Sequence, residues 1–422
     1  VSNSIDVSES SGGEASGSNG ASRKLLGIPY WVIVVLLFFL GWVFMYADRT
    51  ILNPVMGKLQ EEFGLSRTEL GLINSVFFFA YALVQIPAGV LGDKIGRKIV
   101  LVPGFILFGI FTAVSGWVTS FKGLLFARVV TGIGEGTYYG PQYAISNETV
   151  PLKYRSLGSA IINSGMAFGI ALGLMSSSYL VYDLNMSWHA PFYVFALPTI
   201  LVGVLIWCVI REKPRARGAA AGQKASLGSL LRNRNLLLTY IMVFCSLFGF
   251  FMILTWLPYY LQTERGIAGS QTGFVASLVA WVSIPGALII SSFSDWLGKR
   301  KPLVFVLVPI AAAALCSVVY FQSQTALICS LVVYGLFGKL ALDPVLVALV
   351  ADNAPKEGYA SAFGVFNCVG MSSSILAPTI TGFIAEHTNS LSSGFYISAA
   401  ILVVGMCCMV GIQEKPNAVP SA

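Results

Sequence analysis

Apolar stretches about as long as a membrane-crossing helix follow one another along nearly the whole chain, with short polar turns between them. A hydrocarbon core about 30 Å thick takes about 20 apolar residues of helix to cross. The pattern therefore predicts spans at 30–53, 69–92, 99–119, 122–147, 156–181, 191–211, 236–262, 269–293, 302–321, 325–350, 359–385 and 391–413. The runs are continuously apolar, without the short alternating segments of barrel strands, so helices are expected. The fold class is thus an all-α membrane protein of twelve transmembrane helices, with both termini on one side. Residues 1–22 are Ser, Gly and acidic, with too little apolar content to offset ordering entropy. They are expected to be disordered within a polar N-terminal segment, 1–27, and they lack the basic start and small-residue cleavage site of a signal peptide.

Composition agrees: 56% of the residues are hydrophobic and 11% charged, against roughly 25% charged in a soluble domain. The net charge of +7 raises nucleic acid as a partner, and the placement of the positive residues excludes it. Lys94, Arg97, Lys98, Lys153, Arg155, the 211–234 loop, Lys299, Arg300, Lys301 and Lys356 all fall in loops on the side of the termini. Lys58, Arg67, Lys122 and Arg265 are the main positive residues on the other. The positive-inside rule then makes both termini cytoplasmic, in the cell's inner (plasma) membrane, with the lipid bilayer as the main partner and a monomer as the expected functional unit. All seven Cys (208, 245, 316, 329, 368, 407, 408) fall in spans without CxxC or metal spacing, which reads as reduced packing thiols. No metal or cofactor is expected.

The basic stretch 212–235 divides the spans six and six, giving a half at 28–211, a linker, a half at 236–413 and a tail at 414–422. Corresponding residues recur at an offset of 204: Pro54 with Pro258, Pro151 with Pro355, Glu148 with Asp352, Asn163 with Asn367. With a two-residue slip, Asp93-Lys94-Ile95-Gly96-Arg97-Lys98 meets Asp295-Trp296-Leu297-Gly298-Lys299-Arg300. An even number of spans per repeat gives two halves of the same orientation about an axis along the membrane normal, with a binding site between them near mid-membrane.

The loop Gly89-Val90-Leu91-Gly92-Asp93-Lys94-Ile95-Gly96-Arg97-Lys98 joins a glycine turn to one acid and several bases. It resembles the signature loop of the major facilitator superfamily, and 295–300 stands where that family carries its degenerate second copy. The resemblance runs from about residue 28 to 413. It implies a cytoplasmic charge network that favours the outward-open state, with Asp93 and Arg97 at matching positions. Glu148 and Arg155 are expected to join it, with Asp295 and Asp352 in the second half; these are gating residues.

Charges inside the spans carry more information, because each costs at least about 2.5 kcal/mol at the bilayer centre on insertion scales. Six qualify: Asp48, Arg49, Arg128, Glu135, Lys339 and Asp343. They could all be ion pairs that fix helix packing, although paired burial rarely improves on apolar residues, which hints at function. Asp48 and Arg49 are neighbours about 100° apart on a helix, so they are not expected to pair with one partner face. Arg128 and Glu135 are two turns apart and share a face, and Glu135 and Lys339 are one repeat apart.

Met45-Tyr46-Ala47-Asp48-Arg49-Thr50 in span one and Arg128-Val129-Val130-Thr131-Gly132-Ile133-Gly134-Glu135-Gly136 in span four together look like the anion:cation symporter family. Gln85-Ile86-Pro87-Ala88-Gly89 and Trp256-Leu257-Pro258-Tyr259-Tyr260-Leu261 are similar to its patterns as well. That resemblance implies an organic-acid cargo and, in many members, proton coupling by the acids that match Asp48 and Glu135. Cargo-carboxylate arginines match Arg49 and Arg128, with Tyr46 and Tyr81 as polar neighbours. Two departures stand out: Gly136-Thr137-Tyr138-Tyr139 replaces the family's usual Ala-Pro after the span-four acid, and Lys339-Leu340-Ala341-Leu342-Asp343-Pro344 is not a general family feature. Lys339 and Asp343 are four apart and could pair along the helix. Alternatively Lys339 faces the cavity and adds a positive contact for a dianion or a strong acid. Asn163 and Asn367 could reach the cavity or bond across helices, and the Gly-rich run 165–173 reads as a packing surface.

The expected function is secondary active transport of a small organic anion (a sugar acid, dicarboxylate or sulfonate) by symport and alternating access. The coupling ion is a proton, with sodium as the alternative. Organic anion exchange and multidrug efflux are the competing transport readings. An enzyme is not expected, since neither HExxH nor GxSxG occurs in any span.

Overall fold

The computed structural model describes residues 24–25, 28–212, 230, 232–355 and 359–413. The expected disordered start, the tail, most of the 212–235 linker and Lys356 lie outside the described residues. After a minimal antiparallel pair, β1 (Lys24–Leu25) with β2 (Ile28–Pro29), the described chain is helical. Span one is α1 (Tyr30–Ile51), prolonged by a 3-10 turn at Asn53–Val55 that contains Pro54, and by α2 (Met56–Phe63). Gly64 ends it with φ 63°, a left-handed conformation that glycine adopts without penalty. Ser66 then starts α3 (Arg67–Ile95), the second span, with a reciprocal capping box to Glu69.

The remaining spans are α4 (Arg97–Ser115), α5 and α6 together (Phe121–Gly136 and Tyr139–Thr149), α7 (Arg155–Ser178), α8 (Ala190–Val209), α9 (Arg234–Thr263), α10 (Gly269–Leu297), α11 (Lys301–Tyr320), α12 and α13 together (Gln324–Phe337 and Lys339–Asn353), α14 (Tyr359–Thr388) and α15 (Ser392–Met409). Eleven are long and apolar enough to cross a membrane on length and composition alone. The other, span four, is interrupted at Thr137–Tyr138, which leaves pieces of 16 and 11 residues. Twelve spans in two six-helix halves result, as the sequence leads one to expect.

The halves meet along two seams, α3 with α14 and α7 with α10. Small residues let these helices approach. A methyl group at Gly71 would stand 2.3 Å from the Pro378 carbonyl oxygen, and one at Gly273 would stand 2.3 Å from that of Leu174. These glycines are 202 residues apart, the offset of Asp93 and Asp295, so the repeat shapes both seams alike. Polar bonds between the halves concentrate at the end away from the basic loops. Gln262 Nε2 donates to the Pro54 carbonyl at 2.9 Å, the Tyr182 hydroxyl donates to Gln262 Oε1 at 2.9 Å, and Arg67 Nη1 donates to the Ala385 carbonyl at 2.8 Å. Tyr259 with Gln60 and Thr68 with Glu386 add two more. The bundle is therefore closed at that end. Of the cysteines, Cys245 is buried but Cys208, Cys329, Cys368 and Cys407 are exposed, so most of these thiols face outward rather than pack the core.

Candidate functional site

Asp48 and Arg49 lie near the end of α1, 1% and 4% exposed. Both reach span four. Arg128 donates to Asp48 Oδ2 from Nη1 at 2.8 Å and from Nη2 at 3.2 Å, while the Thr112 hydroxyl donates to Asp48 Oδ1 at 2.6 Å. Arg49 Nε donates to Glu135 Oε2 at 2.7 Å. The expectation that sequence neighbours could not both pair with one face is thus wrong. Arg128 and Glu135 stand roughly 10 Å apart along α5 at 1.5 Å per residue, and a short Asp and a long Arg on α1 each reach a different one. On its other side α5 packs closely against α3, where a methyl at Gly132 would lie 2.3 Å from the Phe77 carbonyl oxygen.

Arg49 is held flat among aromatic rings. Its guanidinium carbon lies 4.6 Å from the Tyr81 ring centre and 4.7 Å from that of Tyr46, with Phe77 and Phe78 beyond. Such faces attract a desolvated cation and leave its in-plane N–H groups for hydrogen bonds. Arg49 Nη2 and Glu135 Oε1 nonetheless have no hydrogen-bond partner although both are buried. Buried polar atoms are nearly always satisfied, so the unused donor and acceptor of this pair, like Arg128 Nε, leave hydrogen-bonding capacity open inside the protein. Arg128 is more enclosed, between Phe77 and Phe192 with ring centres 5.6 Å away.

In the second half, Lys339 Nζ lies 3.3 Å from Asp343 Oδ2, the pairing along the helix that the spacing allows. The ammonium also lies 5.5 Å from the centre of the Phe250 ring. The Phe250 ring meets Phe251 at 5.5 Å, and Phe251 meets Phe78 of the first half at 4.9 Å. Asn163 exchanges hydrogen bonds with the Tyr143 hydroxyl inside the first half, whereas Asn367 Nδ2 donates across the halves to Gln85 Oε1 at 3.2 Å. Thr112, Tyr139, Phe250 and Gln85 were not singled out as site residues from the sequence. Gln85 lies in a quoted motif; a lone Thr or Phe in an apolar span carries no signal of its own.

At the basic end, Arg97 pairs with Asp93 at 3.4 Å and with Glu148 at 2.5 Å, and Glu212 accepts from the backbone N–H groups of Arg97 and Lys98 at 2.8 and 3.1 Å. Glu212 was not anticipated. Arg155 bonds the Asn147 carbonyl at 2.7 Å, beside Glu148 and not to its carboxylate. In the second half Arg300 pairs with Asp295 at 3.0 Å and with Asp352 at 3.9 Å. The counterpart of Arg97 is therefore Arg300, not Lys299. The reason is the turn: α4 begins directly after Gly96, whereas Lys299 and Arg300 intervene between Gly298 and α11.

A probable galactarate/D-glucarate transporter of Escherichia coli, GarP, is 28% identical over 431 residues, covering 92% of this chain and 95% of that protein. A hexuronate transporter of Bacillus subtilis is 25% identical, covering 89% and 93%. A cis,cis-muconate transport protein of Acinetobacter baylyi is 26% identical, covering 93% and 97%. Among solved structures, a bacterial homolog to the human lysosomal transporter Spinster, inward-facing and unoccupied, superposes with a TM-score of 0.78 at 18% identity over 90% of this chain and 96% of that one. The profile of the Major Facilitator Superfamily matches residues 38–375 and 239–422, so this chain is a multi-pass membrane transporter that belongs to that family.

Proposed function

We propose that the protein carries a small organic acid anion of the sugar-acid class across the membrane together with protons, by alternating access. The observation that carries this reading is the Arg49–Glu135 pair, sealed in protein yet with one donor and one acceptor unused. A carboxylate leaving water needs a preorganised fork of donors, and Arg49 supplies one. When cargo takes Arg49, Glu135 loses the cation beside it and a buried carboxylate without a partner is costly. Glu135 then binds a proton, and anion and proton assist each other reciprocally. Tyr46 and Tyr81 hold the guanidinium plane. Both oxygens of Asp48 are already engaged, so we assign Asp48 and Arg128 to bracing span one against span four.

The related proteins carry names of sugar-acid, hexuronate and muconate transport, all organic acids. With the basic loops cytoplasmic by the positive-inside rule, closure at the opposite end fits a plasma-membrane carrier closed toward the outside. The Asp93, Arg97, Glu148 and Glu212 cluster and the Arg300 cluster then stand at the cytoplasmic entrance, where they act as gating contacts.

Calorimetric titration of purified protein with D-glucuronate, in buffers of different ionisation enthalpy, counts protons exchanged on binding. About one proton taken up per anion by the wild type, and none by Glu135→Gln, is the expected linkage. Binding without proton uptake would remove Glu135 from the coupling.

A further inference from the structure

The ion pair in span ten is built differently from those in the first half. Lys339 and Asp343 are 9% and 33% exposed, against 1% and 0% for Arg49 and Glu135. Their separation of 3.3 Å also exceeds the 2.7 Å of that sealed pair. The helix α13 begins at Lys339, directly after the kink at Gly338, so the ammonium stands at the helix end whose dipole is already positive. It therefore needs an anion. Asp343 supplies one at present, but it is one-third exposed and water can solvate it when it lets go, so the pair contributes little. Lys339 lies over Phe250, and Phe250, Phe251 and Phe78 lead ring to ring across the contact between the halves to Arg49.

Building on the anion reading above, we propose that Lys339 is the second pole of the cargo site and that the preferred cargo is a dicarboxylate. One carboxylate replaces Glu135 on Arg49 and the other replaces Asp343 on Lys339. Displaced Glu135, sealed in protein, takes up a proton, whereas displaced Asp343 is left to water. A monocarboxylate reaches Arg49 alone and brings one proton. The group that pairs with Asp343 is Lys339 on its own helix. The helices α9, α10, α11 and α14 pack on α13 and carry Asp, Glu, Lys, Arg or His only at their ends, at Arg234, Asp295, Lys301, Glu386 and His387. Asp343 is thus governed by Lys339.

The test uses the full chain reconstituted in liposomes, with D-glucarate as dianion probe and D-glucuronate as monoanion probe. Lys339→Gln should lower uptake of glucarate relative to glucuronate by about 10-fold or more, the size of one charge-assisted hydrogen bond. Lys339→Arg should restore most of that preference. Equal loss of both probes in Lys339→Gln overturns the second pole while proton-linked glucuronate uptake keeps the first. If the wild type takes up neither probe, or only against internal anion, the symport reading itself falls.

Discussion

Spans four and ten hold corresponding charges 204 residues apart, Glu135 and Lys339, and treat them in opposite ways. Both spans are broken near the charge, but at different places. Glu135 precedes the break at Thr137–Tyr138 and sits at the end of α5, while Lys339 follows the break at Gly338 and opens α13. An acid at a helix C-terminus and a base at an N-terminus are each at the wrong end of the dipole. Neither charge is stable alone. Span four resolves this with a sealed partner from span one, whereas span ten uses a partly exposed partner four residues away on its own helix. The contrast teaches that a duplicated position can keep its place in the cavity while the exposure of its counter-ion decides how readily cargo replaces it.

The largest effect that tests this contrast is on stability. Removing one partner of a buried pair typically costs about 3–5 kcal/mol because the other is stranded. Arg128→Ala strands Asp48 and should lower thermal stability by that amount, as read by unfolding in detergent. Lys339→Ala should cost under about 1 kcal/mol, as for exposed pairs. Comparable losses at the two sites would erase the distinction between sealed and open pairs. Next in size, Glu135→Gln should reduce proton-driven accumulation by about 5–150-fold, the usual range of coupling between sites, with homologous exchange affected less. Accumulation and exchange falling by the same factor would count against a coupling role.

How much of this was readable beforehand differs between fold and site. The spans were legible because the bilayer forces each to be continuously apolar, and the six intramembrane charges stand out for the same reason. Their pairing was not legible. Whether Asp48 or Arg49 meets Arg128 depends on how far each side chain reaches along α5, and adjacent positions on α1 turned out to serve one face. Thr112 could not be found at all, since a hydroxyl in an apolar span usually bonds its own helix, and the Phe108 carbonyl stands 2.9 Å from the Thr112 hydroxyl as that alternative acceptor. Arg300 was misplaced by one position because the turn after Gly298 is longer than the one after Gly96. The repeat preserves which charges meet but not the length of chain between them.

Smaller effects probe the seams and the gates. Gly71→Ala and Gly273→Ala place a methyl 2.3 Å from a facing carbonyl oxygen, an overpacking that costs about 1–3 kcal/mol in well-packed contacts. Each should open the end away from the basic loops and raise labelling of a cysteine introduced at Gln262. The two substitutions should act alike, and an effect at one seam only would break the symmetry argued for them. Smallest is the gate. Glu148 contacts Arg97 at 2.5 Å and Asp352 contacts Arg300 at 3.9 Å, so Glu148→Gln should change transport rate more than Asp352→Asn, each within about 1 kcal/mol.

The central claim is that cargo and the Glu135 carboxylate compete for one arginine, so that anion and proton enter together. Liposomes holding the protein and a pH-sensitive dye, with no anion inside, test it when D-glucuronate is added outside. The account predicts that the interior acidifies as the anion enters, and that Glu135→Gln abolishes the acidification. Entry of the anion only in exchange for a preloaded internal anion, with no pH change, would contradict it.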